Sequence, residues 1–274
     1  GVNDYCAVLN QTAGGYSFYR SPQYHRVTRF RPNGVPLDRP GHYVYLRDDD
    51  TGDYWSVSWQ PVGKPLDEAK YTCRHGLSYS RYQCTYSGIA AEQTVFVPLG
   101  DPVELWDVRV SNAAERPRRL SVYGYIEWSY HHIEMDNQNF QMSNYASGST
   151  YEDDAVLYDL FYEEFGYQFF TANFRPDGFD ALRDSFIGVY HDESNPVGVI
   201  RGGLSGSYEK TGNHCAALQK HITLAPGEEV RLIFMLGQGR AEAARAARER
   251  YGKPEAADRC FADLAAYWDD KLSR

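Results

Sequence analysis

The run Glu127-Trp128-Ser129-Tyr130-His131-His132-Ile133-Glu134-Met135-Asp136-Asn137-Gln138-Asn139-Phe140-Gln141 brings histidines, acids, amides and aromatic rings together. Amides and carboxylates hydrogen-bond hydroxyls, and aromatic rings stack on C–H faces. A sugar is the ligand class that this mixture suits, and polar ligands tend to be read by loops of this kind on a rigid sheet. A solvated loop that binds nothing has the same composition. Glu127, Glu134 and Asp136 are the types that glycoside chemistry uses in pairs, although sequence gives no separation between them. Glu134 and Asp136 read more naturally as hydroxyl partners or as loop-solvating groups. His131 and His132 are adjacent, so on an extended strand they point to opposite faces and do not chelate one metal easily.

Other sets point to weaker chemistry. Arg26, Arg29 and Arg31 nearly alternate and would face an anion such as phosphate, or else acids from elsewhere in the fold. Asp48-Asp49-Asp50-Thr51-Gly52-Asp53 lacks the twelve-residue calcium pattern and reads as a tight turn with a solvated acidic tip. Ala13-Gly14-Gly15-Tyr16-Ser17 lacks the phosphate-cradling pattern and reads as a glycine bend. Gly-x-Ser-x-Gly is absent, and Gly203-Leu204-Ser205-Gly206 has the wrong spacing for a nucleophile elbow.

A strand must deliver the polar run. Arg118-Arg119-Leu120-Ser121-Val122-Tyr123-Gly124-Tyr125-Ile126 alternates with period two. It predicts a buried face of Leu120, Val122, Ile126 and Trp128, with Tyr123, Tyr125 and Glu127 on the other face. Turn signals recur at Ala13-Gly14-Gly15, Pro32-Asn33-Gly34, Pro40-Gly41, Ser87-Gly88, Pro98-Leu99-Gly100-Asp101, Gly202-Gly203 and Ala225-Pro226-Gly227. Strand-like runs lie between them, such as Tyr43–Arg47 and Gln93–Val97, and Val230–Leu236 is the most apolar. Short strands at this spacing predict an all-β fold with two large antiparallel sheets over residues 1–238. After Gly239, Arg240–Tyr251 is rich in helix formers, and Gly252 suits a C-terminal cap. A second helix is expected from Pro254 to Leu272, with Ala257, Cys260, Phe261, Leu264, Ala265 and Trp268 as its packing stripe. Residues 239–274 thus form a helical segment.

The chain has 274 residues, enough for a core that buries roughly three quarters of the unfolded surface. A net charge of -9 without a basic stripe argues against nucleic acid or an anionic membrane as main partner. The 23 tyrosines favour strands and sugar-stacking surfaces. Five cysteines, Cys6, Cys73, Cys84, Cys215 and Cys260, are odd in number and widely spaced, with no CxxC pair. They predict reduced thiols, a cytoplasmic setting and no metal site. No run is long enough to span a membrane. The chain opens on Gly1 without an initiator Met and stops just after the second helix, which suggests a piece of a longer protein.

Ordered blocks then carry a resemblance: Asn10–Arg20, Thr28–Pro36, Gly52–Ser56, Cys73–Arg81, Phe96–Gly100, Gly178–Asp180 with Arg183–Gly188, and Leu224–Glu228. In this order and spacing they resemble the β-sandwich of cellobiose phosphorylases and their relatives, glycoside hydrolase family 94. The resemblance spans essentially the whole chain. It implies a galactose mutarotase-like supersandwich, a helical linker and then an (α/α)6 barrel that carries the catalytic acid. It also implies inverting phosphorolysis of a β-linked disaccharide to an α-sugar 1-phosphate and an acceptor sugar. Inorganic phosphate is then the co-substrate and no cofactor is expected. No residue of this chain is expected to be catalytic.

The resemblance further implies a homodimer in which this domain docks on the barrel and lends it an acceptor-site loop. By position, Gln141, Asn139, His132 and Met142 match residues that line that region. Asn139 and Gln141 keep the amide types of cellobiose phosphorylases, whereas His132 stands where those enzymes carry Asn and Met142 where they carry Arg. Met cannot clamp hydroxyls, so an acceptor or linkage other than that of cellobiose is implied, as in laminaribiose or cellobionic acid phosphorylases. Glu127 is expected to be structural, at the base of the loop. Two alternatives stay open: a stand-alone aldose epimerase using His75 or His214 with Glu127, and a carbohydrate-binding module.

Overall fold

A computed structural model describes residues 3–31, 38–161, 163 and 166–273. The turn signal Pro32-Asn33-Gly34 lies outside these residues. A hairpin of β1 (Tyr5–Leu9) and β2 (Gly15–Tyr19) leads into two antiparallel sheets. The larger runs in the spatial order β10 (Ser147–Glu152), β11 (Ala155–Leu160), β12 (Tyr167–Ala172), β15 (Glu229–Gln238), β8 (Val103–Asn112), β7 (Ile89–Phe96), β6 (Tyr79–Tyr86) and β5 (Lys70–Gly76). The smaller runs β13 (Gly178–Leu182), β14 (His214–Leu224), β9 (Arg118–Glu127), β3 (Tyr43–Asp48) and β4 (Tyr54–Ser56). Six helices complete the described residues: α1 (Ile133–Gln138), α2 (Phe140–Tyr145), α3 (Arg183–Phe186), α4 (Val197–Arg201), α5 (Ala241–Tyr251) and α6 (Pro254–Leu272). This is the expected all-β, two-sheet architecture with C-terminal helices.

Strand parity sorts the side chains into two cores. From β15, Leu232, Phe234 and Leu236 join the main core between the sheets. Ile233 and Met235 join a second core beneath α5 and α6. The same holds for β8, where Trp106, Val108 and Val110 face the main core while Val103 and Leu105 face the helices. A strand covered on both faces needs a continuous apolar run rather than an alternating one. That explains the composition of Val230–Leu236. From α6, Ala257 and Leu264 are buried in this second core, and Phe261 sits edge-on to Tyr79 and Phe96. Ala265 departs from the expected stripe; it is exposed, and Ala256 is buried instead. Gly252 is the C-terminal cap of α5 as expected, its amide donating to Arg248 O, and it holds this place in a right-handed conformation with φ -67°.

The strand β9 is central in the smaller sheet, between β14 and β3. Leu120, Val122, Ile126 and Trp128 are buried as expected, but so are Tyr123 and Tyr125. The second face is a tyrosine layer rather than a solvated one. Phe186 of α3 stacks on Tyr125 with ring centroids 4.5 Å apart and planes 16° apart. At Gly124 the sheets approach so closely that a Cβ would lie 2.7 Å from Cε1 of Phe234.

The acidic segment between β3 and β4 is a tight hairpin turn whose tip, Asp50 and Thr51, is exposed as expected, while the acids that flank the tip are paired. Asp48 is buried and accepts from Arg118 Nη2 at 2.6 Å. Asp53 accepts from Lys64 Nζ at 2.6 Å and from the Tyr86 hydroxyl at 2.8 Å. All five thiols are free. Among the described residues no helix is long and apolar enough to cross a membrane.

Candidate functional site

The polar run leaves β9 and forms two short helices, α1 and α2, where the sequence suggested a loop. Local hydrogen bonds explain the turns. The Asp136 amide donates to His132 O at 3.0 Å, Asn139 N to Met135 O at 2.9 Å and Ala146 N to Met142 O at 2.8 Å. Asn139 joins the helices with φ -132° and ψ 66°, which breaks the helical path between them. The segment is tied to its surroundings at both ends. Ile133 N donates to Gln23 O at 2.9 Å, and Gly212 N to Asn144 O at 2.8 Å.

Of the four residues expected at the site, Asn139 and Gln141 are exposed. His132 is half-buried, with its ring edge-on to Tyr24 at 5.1 Å and 71°. Met142 is half-buried and packs against the main core. The structure therefore places all four on one short segment, with the two amides presented to solvent.

Beneath them lies a buried ionic network. Arg29 is 3% exposed and grips Asp136 with two prongs, Nε to Oδ2 at 3.0 Å and Nη2 to Oδ1 at 3.1 Å. Its Nη1 donates to Asn213 Oδ1 at 2.9 Å and to Glu127 Oε2 at 3.4 Å. The Tyr130 amide also donates to Asp136 Oδ1, at 3.2 Å. Glu127 Oε1 accepts from Arg183 Nε at 2.7 Å and from the Tyr125 hydroxyl at 2.9 Å. Arg183 Nη2 donates onward to Glu193 Oε1 at 2.8 Å. Burial pushes the Glu127 carboxyl up, but Arg183 and then Arg29 outweigh it and hold it below the usual carboxylate range. Glu193 goes the other way, raised by burial and by the charge of Glu127. Burial disfavours a charged Arg29, yet its carboxylate partners keep it firmly protonated.

These positions settle several readings. Asp136 neither solvates the segment nor is offered to a ligand; it is spent on Arg29. Glu134 is exposed, near the Gln23 amide at 3.4 Å. Arg29 meets acids of its own chain rather than a free anion, and the Arg26 guanidinium lies 3.5 Å from the Tyr16 ring centroid. His131 is buried, accepts from Gln168 Nε2 at 2.8 Å, and is pushed down to about 3 by burial and by neighbouring His25. His75 lies on β5 of the larger sheet, away from Glu127 on the smaller. His214 is buried with its Nδ1 2.9 Å from Ser149 Oγ. Neither histidine pairs with Glu127, so the geometry does not favour the epimerase reading.

Sequence reasoning missed Arg183, Glu193, Asn213 and Tyr24. Arg183 and Asn213 reach Glu127 and Arg29 across 56 and 184 residues, and Glu193 joins only through Arg183, so no local pattern signals them. Tyr24 is 53% exposed and carried by a bend in which its amide donates to Ser21 Oγ at 3.2 Å. The Ser21-Pro22 bend was a readable turn signal, but its contact with His132 was not.

Three comparisons bear on this arrangement. The family model described as "Glycosyl hydrolase 94, supersandwich domain" matches residues 1–254. An N,N'-diacetylchitobiose phosphorylase of Vibrio proteolyticus is 49% identical over 277 residues, covering 100% of this chain and 34% of the relative. A solabiose phosphorylase of Paenibacillus borealis is 33% identical and covers 84% of this chain and 30% of its own length. The chain thus spans about a third of the length of the curated relatives that it matches. Among solved structures, a bacterial glucoamylase complexed with acarbose aligns over 97% of this chain and 35% of its own, with TM-score 0.62 and 11% identity. At that identity the likeness speaks for the fold alone.

Proposed function

The chain belongs to the glycosyl hydrolase 94 supersandwich-domain family, and from that premise we propose that it is the N-terminal, non-catalytic domain of an inverting phosphorylase of β-linked disaccharides. The match to an N,N'-diacetylchitobiose phosphorylase along the full chain carries this reading. It also favours an N-acetylated disaccharide over the laminaribiose and cellobionic acid expected from sequence. In the chemistry proposed, phosphate is already a nucleophile and needs no base to activate it. One carboxylic acid then suffices, to protonate the leaving oxygen. That acid belongs to an (α/α)6 barrel beyond residues 239–274, with residues 1–238 as the sandwich that supports it and a homodimer as the assembly.

In this proposal the α1–α2 segment faces the acceptor sugar. Asn139 and Gln141 donate to and accept from its hydroxyls or amide. His132 and Met142 shape its fit, Met142 by offering no charge where cellobiose phosphorylases carry Arg. The exposure of both amides above a fixed network supports the assignment.

The test uses the enzyme that joins this chain to its barrel. Phosphate-dependent release of a sugar 1-phosphate from N,N'-diacetylchitobiose is expected, with less from cellobiose. No phosphate-dependent cleavage of any β-linked disaccharide would end the reading. In the synthetic direction, Gln141→Ala should raise the acceptor KM about tenfold, the size of one lost hydrogen bond to a bound ligand. An unchanged acceptor KM would remove Gln141 from the site.

A further inference from the structure

We propose that Asp136 and Arg29 are a positioning pair that sets how the α1–α2 segment meets the acceptor sugar; the inference rests on the acceptor-site reading above. A six-residue helix is far too short to hold itself together in water. Something outside it must fix its place and rotation. Hydrophobic burial contributes little for α1, because its one fully buried residue is Asp136 and Ile133 is only half-buried. The flanking Met135 is 36% exposed, and Glu134, Asn137 and Gln138 are exposed. The helix is anchored by a carboxylate.

The grip fixes direction as well as distance. Two parallel N–H···O bonds of 3.0 and 3.1 Å lock the planes of guanidinium and carboxylate together. Arg29 cannot swivel, since its remaining nitrogen is held by Asn213 and Glu127. Asn213 immediately precedes β14, and Glu127 ends β9. The orientation of α1 is thereby referred to the ends of two neighbouring strands of the smaller sheet. His132 lies four residues before Asp136, Asn139 three after and Gln141 five after. His132 and Asn139 cap the two ends of α1, so any rotation of α1 about this pin moves both, and Gln141 follows on α2 through the Asn139 junction. Small misplacements of substrate-positioning groups cost large factors in turnover.

The enzyme carrying the barrel is assayed as wild type, Asp136→Asn, Arg29→Lys and Gln141→Ala. N-acetylglucosamine is the probe acceptor in synthesis, and inorganic phosphate is varied in phosphorolysis. Phosphorolysis by the wild-type enzyme, together with a raised acceptor KM in Gln141→Ala, establishes the underlying reading separately from the pair. Asp136→Asn keeps the shape and loses the charge; its acceptor KM is expected to rise about tenfold or more while the phosphate KM stays within about twofold. Arg29→Lys keeps the charge and loses the fork, and the acceptor KM should rise by about threefold or more. A folded Asp136→Asn enzyme with an unchanged acceptor KM overturns the proposal, and so does an equal rise in both constants. If Asp136→Asn does not fold, Arg29→Lys decides by the same two criteria.

Discussion

Arg183 Nε lies 2.7 Å from Glu127 Oε1, and the same guanidinium reaches Glu193 at 2.8 Å. One cation thus separates two buried carboxylates. Glu127 is the member with most to lose, since the Tyr125 hydroxyl and Arg29 also converge on it. Removing one partner of a buried pair leaves the others desolvated and uncompensated. Glu127→Ala is therefore expected to lower unfolding stability by about 3–5 kcal/mol, read by urea denaturation. A loss below about 1 kcal/mol would show that the network is not holding the base of the segment.

Gly124 makes a second prediction. A methyl there would lie 2.7 Å from the Phe234 ring and 3.1 Å from Cζ of Phe170. Those two rings are themselves stacked, 5.8 Å apart and 7° from parallel, so neither can turn aside freely. Gly124→Ala should destabilise the fold by about 1–3 kcal/mol through overpacking, although alanine has the better intrinsic strand and helix preference. A thermal midpoint equal to that of wild type would mean that the sheets part to accept the methyl.

A third prediction concerns acid. Burial pushes His131 down to about 3 and His214 down to about 4. Between those values and the ordinary histidine range the unfolded chain binds protons that the folded chain refuses. Stability then rises with pH across this window and is lost as pH falls. The contribution is complete above about pH 6.5 and shrinks progressively below it. The thermal midpoint should drop steadily from pH 7 to 5, before most carboxylates titrate. His131→Gln, which keeps a polar partner for Gln168, should flatten the slope. A midpoint independent of pH over this range contradicts both assignments.

The inward face of β9 could be read from its alternation, and the span of α6 from its composition, because both depend on contacts made at short and regular spacing. The double-sided burial of β9 could not. Tyr123 and Tyr125 look like surface residues until α3 brings Phe186 over Tyr125 and Gln219 of β14 meets the Tyr123 hydroxyl. The segment after Glu127 shows the same limit more sharply. Its amides and histidines identified it as a candidate site. Nothing local said that Asp136 would turn inward, since its partner Arg29 lies 107 residues away. Arg29 itself read as one of a row of cations, and only the fold decides that its anion is internal. Met142 was legible as an apolar departure at the site, but its partial burial against the core was not.

The last prediction concerns Tyr24 and His132, whose rings meet edge to face at 5.1 Å. Tyr24 is half-exposed, and its bend touches α1 through Gln23 O and the Ile133 amide at 2.9 Å. An aromatic edge-to-face pair contributes about 0.5–1.5 kcal/mol beyond its buried area. If the pair holds His132 in its acceptor-facing pose, Tyr24→Ala and His132→Asn should each raise the acceptor KM. The double variant should then do less than the product of the two, because the second change removes a contact already lost. A double-mutant cycle on the barrel-bearing enzyme is expected to give a coupling of about 0.5–1.5 kcal/mol. Strict additivity would mean that the rings touch without cooperating. An effect from Tyr24→Ala alone would then point to direct contact between that exposed ring and the sugar.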